Sequence, residues 1–349
     1  MDVHIIQNGA IMRVKDGIFE ILSPQAPDNK TYTRYEYAVS DVQTIWVHAA
    51  ATITTAAIRL AIENDIDFVV CDKHGMPLGR FNPHRPSTTA AVQKAQLILS
   101  QTPHAITYVK EWIVQKLTNQ IAFLEDIGKK RKEEARKMTK AAAKKIEALR
   151  EKIKALEGKH ISEIADVLRG MEGAACKVYF ETLNAILPKY YRFEGGRSRQ
   201  PADDLFNAFL NYGYAILYNR VELAVTKAGL NPFLGYLHRD DYGGFRSFVF
   251  DVIEPYRIEI DRLVFRLFSG KLVSYEQHGD VAPTDKAGIW LSTDGKKLIA
   301  AQFVESYEKW QSRLFAAMRH TAATMRKNLA LPDSGVDEPV LTPHVLVSE

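Results

Sequence analysis

Three residues that can bind a metal ion lie close together in the segment GLNPFLGYLHRDDYGGFRSFVFDVIEP, which runs from Gly229 to Pro255. They are His238, Asp251 and Glu254. If a helix begins near Asp251, the two carboxylates share one face of it, and the preceding loop can fold His238 back toward them. One imidazole with one or two carboxylates suits Mg²⁺ or Mn²⁺ better than zinc. The same residues also fit a charged helix start beside a hydrogen-bonded loop histidine, and the spacing alone does not choose between the two interpretations.

A fourth acid, Glu172, lies in the otherwise apolar stretch LRGMEGAACKVYF. A carboxylate there is costly to bury unless it has a partner. The small residues Gly173, Ala174 and Ala175 would let another backbone or a ligand approach closely. A salt-bridged helix residue is the alternative interpretation, because no local pattern shows that Glu172 meets His238 in space.

The elements that would position these residues fall into two parts. Residues 1 to about 85 are rich in short strand patterns, and Asn8-Gly9 and Asp16-Gly17 are dipeptides typical of hairpin turns. From about residue 88 apolar residues recur at helical spacing, and we expect helices at 161–187, 204–228, 251–268 and 297–328. The sequence therefore predicts an α+β protein, with a small β-rich N-terminal domain over 1–85, a larger α-helical C-terminal domain over 86–330 and a flexible tail over 331–349.

Composition excludes several classes of protein. With 46% hydrophobic residues the chain can form a sizeable core. Its two cysteines, Cys71 and Cys176, form no CxxC pair, which argues against a disulfide framework or a zinc ribbon. No stretch approaches the roughly 20 apolar residues that span a bilayer, and no signal-peptide pattern is apparent, so a cytoplasmic protein that does not bind membranes is expected. The phosphate-binding pattern GxxxxGK[ST] does not occur, so NTP hydrolysis is not indicated.

The basic charge is concentrated in one segment. The whole chain carries a net charge of only +4, whereas residues 129–160 hold 13 Lys/Arg against 5 Asp/Glu. Such a segment can neutralise DNA phosphates, and Lys129, Lys130 and Arg131 belong to its densest cluster. The alternative is a solvated helix laced with Glu–Lys pairs, since aromatic residues do not interleave with the charges.

Three longer strings carry a resemblance to a known family. RGMEGAACKVYF, RSRQPADDLFNAFLNYGYAILYNRVELAVTKAGLNPFLGYLH and FRSFVFDVIEPYR occur in this order over about 165–260. They resemble the motifs of the CRISPR-associated protein 1 family, the integrase/endonuclease of CRISPR adaptation. The N-terminal third agrees with that family in outline only, as a β-rich domain that precedes a helical one.

The resemblance implies a metal-dependent DNA enzyme that inserts short DNA segments (spacers) into a CRISPR array, by attack of a 3′-hydroxyl on a phosphodiester. It implies that Glu172, His238 and Glu254 hold Mg²⁺ or Mn²⁺ and that Asp251 belongs to the same catalytic set. Some relatives have aspartate as the last ligand, so whether Asp251 or Glu254 touches the metal stays open. A nuclease for branched DNA in repair would use the same site, and a silent DNA-binding scaffold is the rival from another class.

The resemblance also implies partners, namely double-stranded DNA (spacer precursor and CRISPR repeat), a second copy of the chain that dimerises through the N-terminal domain, and the small second protein of CRISPR adaptation. Polar residues within or beside the strings are candidates for holding that DNA, although the arginines could equally form surface salt bridges. These candidates are Arg197, Arg199, Arg246, Arg257, Asn207 and Asn211.

Overall fold

The computed structural model describes residues 1–25, 31–71, 77–81, 89–193, 196–198, 202–238, 246–281 and 288–329. Within these ranges a β-rich N-terminal part is followed by a mostly helical part, which confirms the predicted α+β class. The expected domain boundary at 85, the tail over 331–349 and Arg199 lie outside the described residues.

Two four-stranded sheets form the N-terminal part, in the orders β1-β5-β7-β8 and β4-β3-β2-β6. Apolar side chains such as Met12, Phe19, Ile45 and Phe68 are fully buried in one shared core with the helix α1. The elements are β1 (Asp2–Ile5), β2 (Ile11–Lys15), β3 (Ile18–Pro24), β4 (Tyr32–Tyr37), β5 (Thr44–Val47), β6 (Thr52–Ile53), α1 (Thr55–Glu63), β7 (Asp67–Cys71) and β8 (Pro77–Phe81).

The two glycine dipeptides of this part behave differently. Asp16 and Gly17 both have positive φ (53° and 77°) and join the antiparallel pair β2 and β3, so the predicted hairpin is confirmed there. Asn8-Gly9 instead joins β1 to β2, which belong to different sheets. A hairpin at that dipeptide is therefore wrong, because β1 pairs in parallel with β5 and β2 with the later strand β6.

Helices dominate the second part of the chain. The predicted helices at 161–187 and 204–228 are confirmed within two residues at each end. The predicted helix at 297–328 is interrupted at 308–310, where the rings of Tyr307 and Trp310 pack edge to face with centroids 4.9 Å apart. The elements are α2 (Thr89–Leu99), α3 (His104–Lys129), α4 (Glu133–Lys154), α5 (Ile161–Ile186), α6 (Leu205–Lys227), α7 (Ser247–Val252), α8 (Arg257–Ser269), α9 (Tyr275–His278), β9 (Gly279–Val281), β10 (Ile289–Leu291), α10 (Thr293–Tyr307) and α11 (Gln311–Asn328).

Helix α6 lies at the centre of the helical part, and most of its residues are buried. It approaches α8 closely at Gly213, where an added Cβ would come within 2.6 Å of Cγ2 of Ile260. A side chain at this position would push α8 away from α6, so the glycine sets the spacing of the two helices. Neither α6 nor any other helix in the described ranges is long and apolar enough to cross a membrane.

Buried charges connect the first sheet to α6. Arg80 of β8 lies 2.6 Å from Oδ2 of Asp67 on β7 and 3.4 Å from Oε1 of Glu222 on α6. The same Glu222 oxygen lies 2.8 Å from Nε of Arg246, the residue immediately before α7. Two residues earlier on α6, Arg220 pairs with Asp2 of β1. The strands are thus tied through α6 to the start of the helix that carries Asp251.

Candidate metal centre

Helix α5 presents Glu172 at the edge of the core. Its side chain is 24% exposed, while Ala175 three residues later is completely buried. Nothing lies within 4 Å of the position that a Cβ of Gly170 or Gly173 would occupy, so the helix surface beside the glutamate is low and open. Sγ of Cys176, one turn further on, donates a hydrogen bond to Oε1 of Glu172 at 3.2 Å. Burial raises the pKa of the Cys176 thiol to about 12, which keeps it neutral.

Asp251 and Glu254 lie on two different elements, and Pro255 directly follows the second acid. Helix α7 ends at Val252, and a single 3₁₀ turn over Glu254–Tyr256 leads into α8. The expectation of one helix over 251–268 with both acids at its start is therefore wrong, because Pro255 lacks the N–H of a continuous helix. Nδ2 of Asn119 on α3 donates to the carbonyl of Pro255 at 2.8 Å, which fixes the turn against that helix.

Lys116 on α3 forms ion pairs with two of the predicted acids. Its Nζ contacts Oε1 of Glu172 and lies 2.6 Å from Oε2 of Glu254, although the latter oxygen accepts no well-directed hydrogen bond. The other oxygen of Glu254 lies 2.8 Å from Nε of Arg257. Burial alone would raise the pKa of Glu254, but Arg257 and Lys116 outweigh burial and lower the pKa to about 2. Glu254 is therefore a carboxylate at any physiological pH.

Asp251 holds the loop that ends at His238. Its side chain is completely buried and accepts hydrogen bonds from the backbone N–H groups of Tyr236, Leu237 and His238. Nδ1 of His238 lies 2.6 Å from Oδ1 of Asp251. This contact favours the tautomer with the proton on Nδ1, which leaves Nε2 as a free lone pair. The imidazole is 43% exposed, so a ligand can reach it.

Gln96 of α2 clamps the same loop from the opposite side. Its side chain is completely buried. Nε2 donates to the carbonyls of Asn231 (2.9 Å) and Leu234 (3.1 Å), and Oε1 accepts from the N–H of Asn231 at 2.8 Å. The hydroxyl of Tyr236 donates in turn to the carbonyl of Gln96 at 2.9 Å. The path of the chain toward His238 is therefore fixed at both ends.

A buried acid, Asp261, holds the tyrosine that packs against Arg257. Asp261 on α8 accepts hydrogen bonds from the hydroxyls of Tyr179 (3.0 Å) and Tyr214. Burial raises the pKa of Asp261 to about 6 despite these bonds. The ring of Tyr214 lies beneath two guanidinium groups, 4.9 Å from that of Arg257 and 5.4 Å from that of Arg197. Arg257 is thus held between an aromatic face and the carboxylate of Glu254.

The side chains that could hold a metal ion lie in two groups. Glu172 and Glu254 both contact Lys116, and His238 contacts Asp251. In the described ranges no three His, Cys, Asp or Glu side chains come close enough together to form a finished metal site. The donor set nevertheless fits a small divalent cation, since the two glutamates already enclose one positive charge, the ammonium of Lys116. The predicted three-ligand site therefore stays a prediction, with its parts located.

Comparison with known proteins identifies the family. A sequence model described as CRISPR associated protein Cas1 matches residues 3–305. The chain belongs to the Cas1 family. It is similar to "CRISPR-associated endonuclease Cas1 1" from Archaeoglobus fulgidus, with 32% identity over 278 residues that cover 76% of this chain and 78% of the relative.

Solved structures share the fold of this Cas1 family member at lower sequence identity. A casposase bound to integration product is similar with a TM-score of 0.73 and 19% identity, covering 97% of this chain and 95% of that one. A chain of a Cas6-RT-Cas1–Cas2 complex gives a TM-score of 0.72 and 19% identity, covering 94% of this chain and 35% of that one. The architecture described above is therefore the fold of known Cas1 structures.

Most of the predicted DNA-contacting residues have partners inside this Cas1 chain. Arg197 donates to Oδ1 of Asn207 (3.0 Å) and of Asn211 (2.6 Å), so these three residues form one cluster at the start of α6. Arg246 and Arg257 pair with Glu222 and Glu254 as described. The lysines differ, because Lys129 is 70% exposed and its ion pair, at 3.3 Å, is with the exposed Asp126. Lys130 and Arg131 are exposed as well.

Three residues that build the site were not predicted from the sequence, namely Lys116, Asn119 and Gln96. A signal for Lys116 was present, since the buried face of α3 runs Ile113, Lys116, Leu117, Gln120 and therefore places a charge at an apolar position of the repeat. A lysine on the buried face needs a carboxylate partner. The identity of that partner could not be read from the sequence, because Glu172 follows 56 residues later on another helix.

Proposed function

We propose that this Cas1 family member is a divalent-metal-dependent DNA integrase and endonuclease that inserts spacers into a CRISPR array. The observation that carries the proposal is the meeting of Glu172 and Glu254 around one buried positive charge. Two carboxylates from distant segments are brought together at a cost in repulsion, and a cation site compensates that cost. His238, presented on the buried Asp251, supplies the nitrogen ligand.

The ligands we propose are Glu172, His238 and Glu254, with Asp251 in support. Both oxygens of Asp251 already accept hydrogen bonds, two from backbone N–H groups at Oδ2 and two from His238 at Oδ1. Asp251 therefore orients the imidazole rather than binding the ion, as carboxylates commonly do behind metal-bound histidines. Glu254 keeps Oε2 without a directed hydrogen bond and is the better direct ligand.

Bound Mg²⁺ or Mn²⁺ would supply Lewis acidity for displacement at phosphorus, with a 3′-hydroxyl as nucleophile in joining and water in cutting. The protein's own part is to bind and orient the phosphodiester. The open surface beside Gly170 and Gly173 leaves room for a DNA backbone next to Glu172. Arg257, 23% exposed on the far side of Glu254, can donate to a phosphate oxygen while its ring contact with Tyr214 keeps it in place.

The partners we propose are double-stranded DNA, a second copy of this chain and the small second protein of CRISPR adaptation. Solved chains with the same fold support this, since one is bound to an integration product and another belongs to a complex that contains Cas2. Dimerisation is proposed through the β-rich N-terminal part. Two sites in one dimer would suit the joining of two DNA ends.

The test uses the purified chain, a supercoiled plasmid that carries a CRISPR repeat, short duplex DNA ends, and Mn²⁺ or Mg²⁺ with an EDTA control. Wild type and Glu172→Ala are compared for joined product and relaxed plasmid, with and without the second adaptation protein. We expect metal-dependent joining that disappears in Glu172→Ala while DNA binding persists. Exposed Glu163 on the same helix provides the matched control, and Glu163→Ala is expected to retain joining.

Two results would replace this proposal. Cutting of branched DNA without any joining, in the presence of the partner, would favour the repair nuclease with water as nucleophile. Binding without joining or cutting in every metal would leave a DNA-binding scaffold.

A further inference from the structure

The ammonium of Lys116 occupies the place of a cation between two acids that lie on different elements. Glu172 belongs to α5 and Glu254 to the turn before α8, and Lys116 of α3 contacts one oxygen of each. The lysine side chain is only 8% exposed, so water contributes little to its stability there. A buried ammonium in this position is held by both carboxylates and in turn holds them together.

Electrostatics makes Lys116 a competitor for any ion that uses the same oxygens. Without a positive charge between them, Glu172 and Glu254 would repel each other in a poorly solvated site. With a divalent ion bound to both, an ammonium within about 4 Å of that ion would be repelled strongly, because the effective dielectric constant near a protein charge pair is only ~20. The two cations therefore exclude each other from the space between these oxygens.

The neighbouring cation is arranged differently. Arg257 contacts the other oxygen of Glu254, and its guanidinium stacks on the ring of Tyr214. It can keep this place when a metal ion binds Oε2. Lys116 carries a compact charge on a flexible four-carbon stem, which can turn aside without moving α3.

We propose that Lys116 is a positioning residue that holds Glu172 and Glu254 together as an internal counterion, and that a divalent ion must displace its ammonium to enter the site. The inference rests on the metal site of the proposed function. It assigns the metal-free protein a closed, charge-balanced site in place of two opposed carboxylates.

The test measures stability and metal binding without DNA. Lys116→Met removes the charge and keeps the length, and Lys116→Arg keeps the charge. The matched control is Lys110→Met on the same helix, where Nζ donates to the carbonyl of Leu156 at 2.7 Å, away from both acids. Thermal unfolding is followed in EDTA, and Mn²⁺ affinity is measured by calorimetry.

We expect Lys116→Met to lower Tm in EDTA and to bind Mn²⁺ at least about tenfold more tightly than wild type, which corresponds to ~1.4 kcal/mol. Lys116→Arg retains the stability and shows no tighter binding, and Lys110→Met binds like wild type. If Lys116→Met does not fold in EDTA, Lys116→Met/Glu172→Gln decides, since removal of one of the two facing negative charges must restore folding.

The failures of the two proposals are distinguishable. Wild-type binding of Mn²⁺ with unchanged or weaker affinity in Lys116→Met refutes the role of Lys116 alone. The role of Lys116 is also refuted if Lys116→Met/Glu172→Gln is as unstable as Lys116→Met. Absence of Mn²⁺ binding in wild type and in every variant refutes the metal site itself, and with it the proposed function.

Discussion

Asp251→Ala is expected to be among the most destabilising single substitutions in this chain. The buried carboxylate accepts three backbone N–H groups, those of Tyr236, Leu237 and His238. Each buried donor left without an acceptor costs about 1–3 kcal/mol, so the three together cost roughly 3–6 kcal/mol after partial rearrangement. Because native stabilities are only about 5–15 kcal/mol, this loss removes a large share of the total.

The assay is urea denaturation followed by tryptophan fluorescence. Trp112 is a suitable probe, since its ring centroid lies 6.2 Å from that of Tyr236 in the affected loop. The matched control is Asp166→Ala on α5, whose fully exposed carboxylate pairs with Arg169 only at 3.7 Å. We expect the control to unfold close to wild type.

The same substitution has a consequence for metal binding. Without Asp251 the imidazole of His238 loses the contact that fixes its tautomer and orientation, and such losses typically reduce metal affinity about 10–100-fold. An Asp251→Ala protein that unfolds within about 1 kcal/mol of Asp166→Ala would refute the accounting of hydrogen bonds. If Asp251→Ala lowers the free energy of unfolding but leaves the Mn²⁺ affinity unchanged, only the orienting role of Asp251 is refuted.

Three further predictions concern other parts of the molecule. Burial raises the pKa of Asp261 from 3.8 to about 6. The free energy of unfolding of wild type relative to Asp261→Asn is therefore highest below about pH 4 and falls by about 3 kcal/mol as the pH rises past 6. A difference between the urea midpoints of the two proteins that is the same at pH 4 and pH 7 would contradict this. Gln96→Leu leaves backbone groups of the His238 loop unpaired, so amide exchange over 229–238 should accelerate while α4 stays protected, and uniform acceleration would show global destabilisation instead. Replacing Lys140 and Lys144 on the exposed face of α4 by Gln should reduce the slope of log Kd against log salt for duplex DNA by about 2. Replacing the two exposed lysines of α10 should leave the slope unchanged, and equal effects of both replacements would show that α4 does not contact DNA.

Local patterns predicted the parts of this fold that local physics controls. Asp16-Gly17 forms a hairpin because both residues adopt the positive φ of a turn whose twist matches that of the flanking strands. Asn8-Gly9 has the same chemistry, yet the next strand pairs elsewhere, and that choice depends on contacts with β6 some forty residues later. Strand pairing of this kind is a property of the whole N-terminal core and is absent from a two-residue signal.

The candidate site shows the same division. The types and spacing of Glu172, His238, Asp251 and Glu254 were enough to suggest a hard metal ion. The resemblance to a family then assigned a role to each of them. The different tasks of Asp251 and Glu254 became visible only when the hydrogen bonds of each oxygen could be counted. The repeat of α3 places Lys116 on the buried face, but its partners Glu172 and Glu254 lie on other elements and could not be identified from the sequence.

The double contact of Glu222 limits how this protein can be cut or recombined. One oxygen of Glu222 lies near both Arg80 in the sheet and Arg246 ahead of α7, so a single acid links the charges of the two parts of the chain. A chimaera that took its strands from one relative and its helices from another would inherit matched charges only if all three positions agreed. Exchange of N-terminal parts between Cas1 genes should therefore succeed along lineages that keep this triplet and fail elsewhere, even where every residue around Glu172 is unchanged.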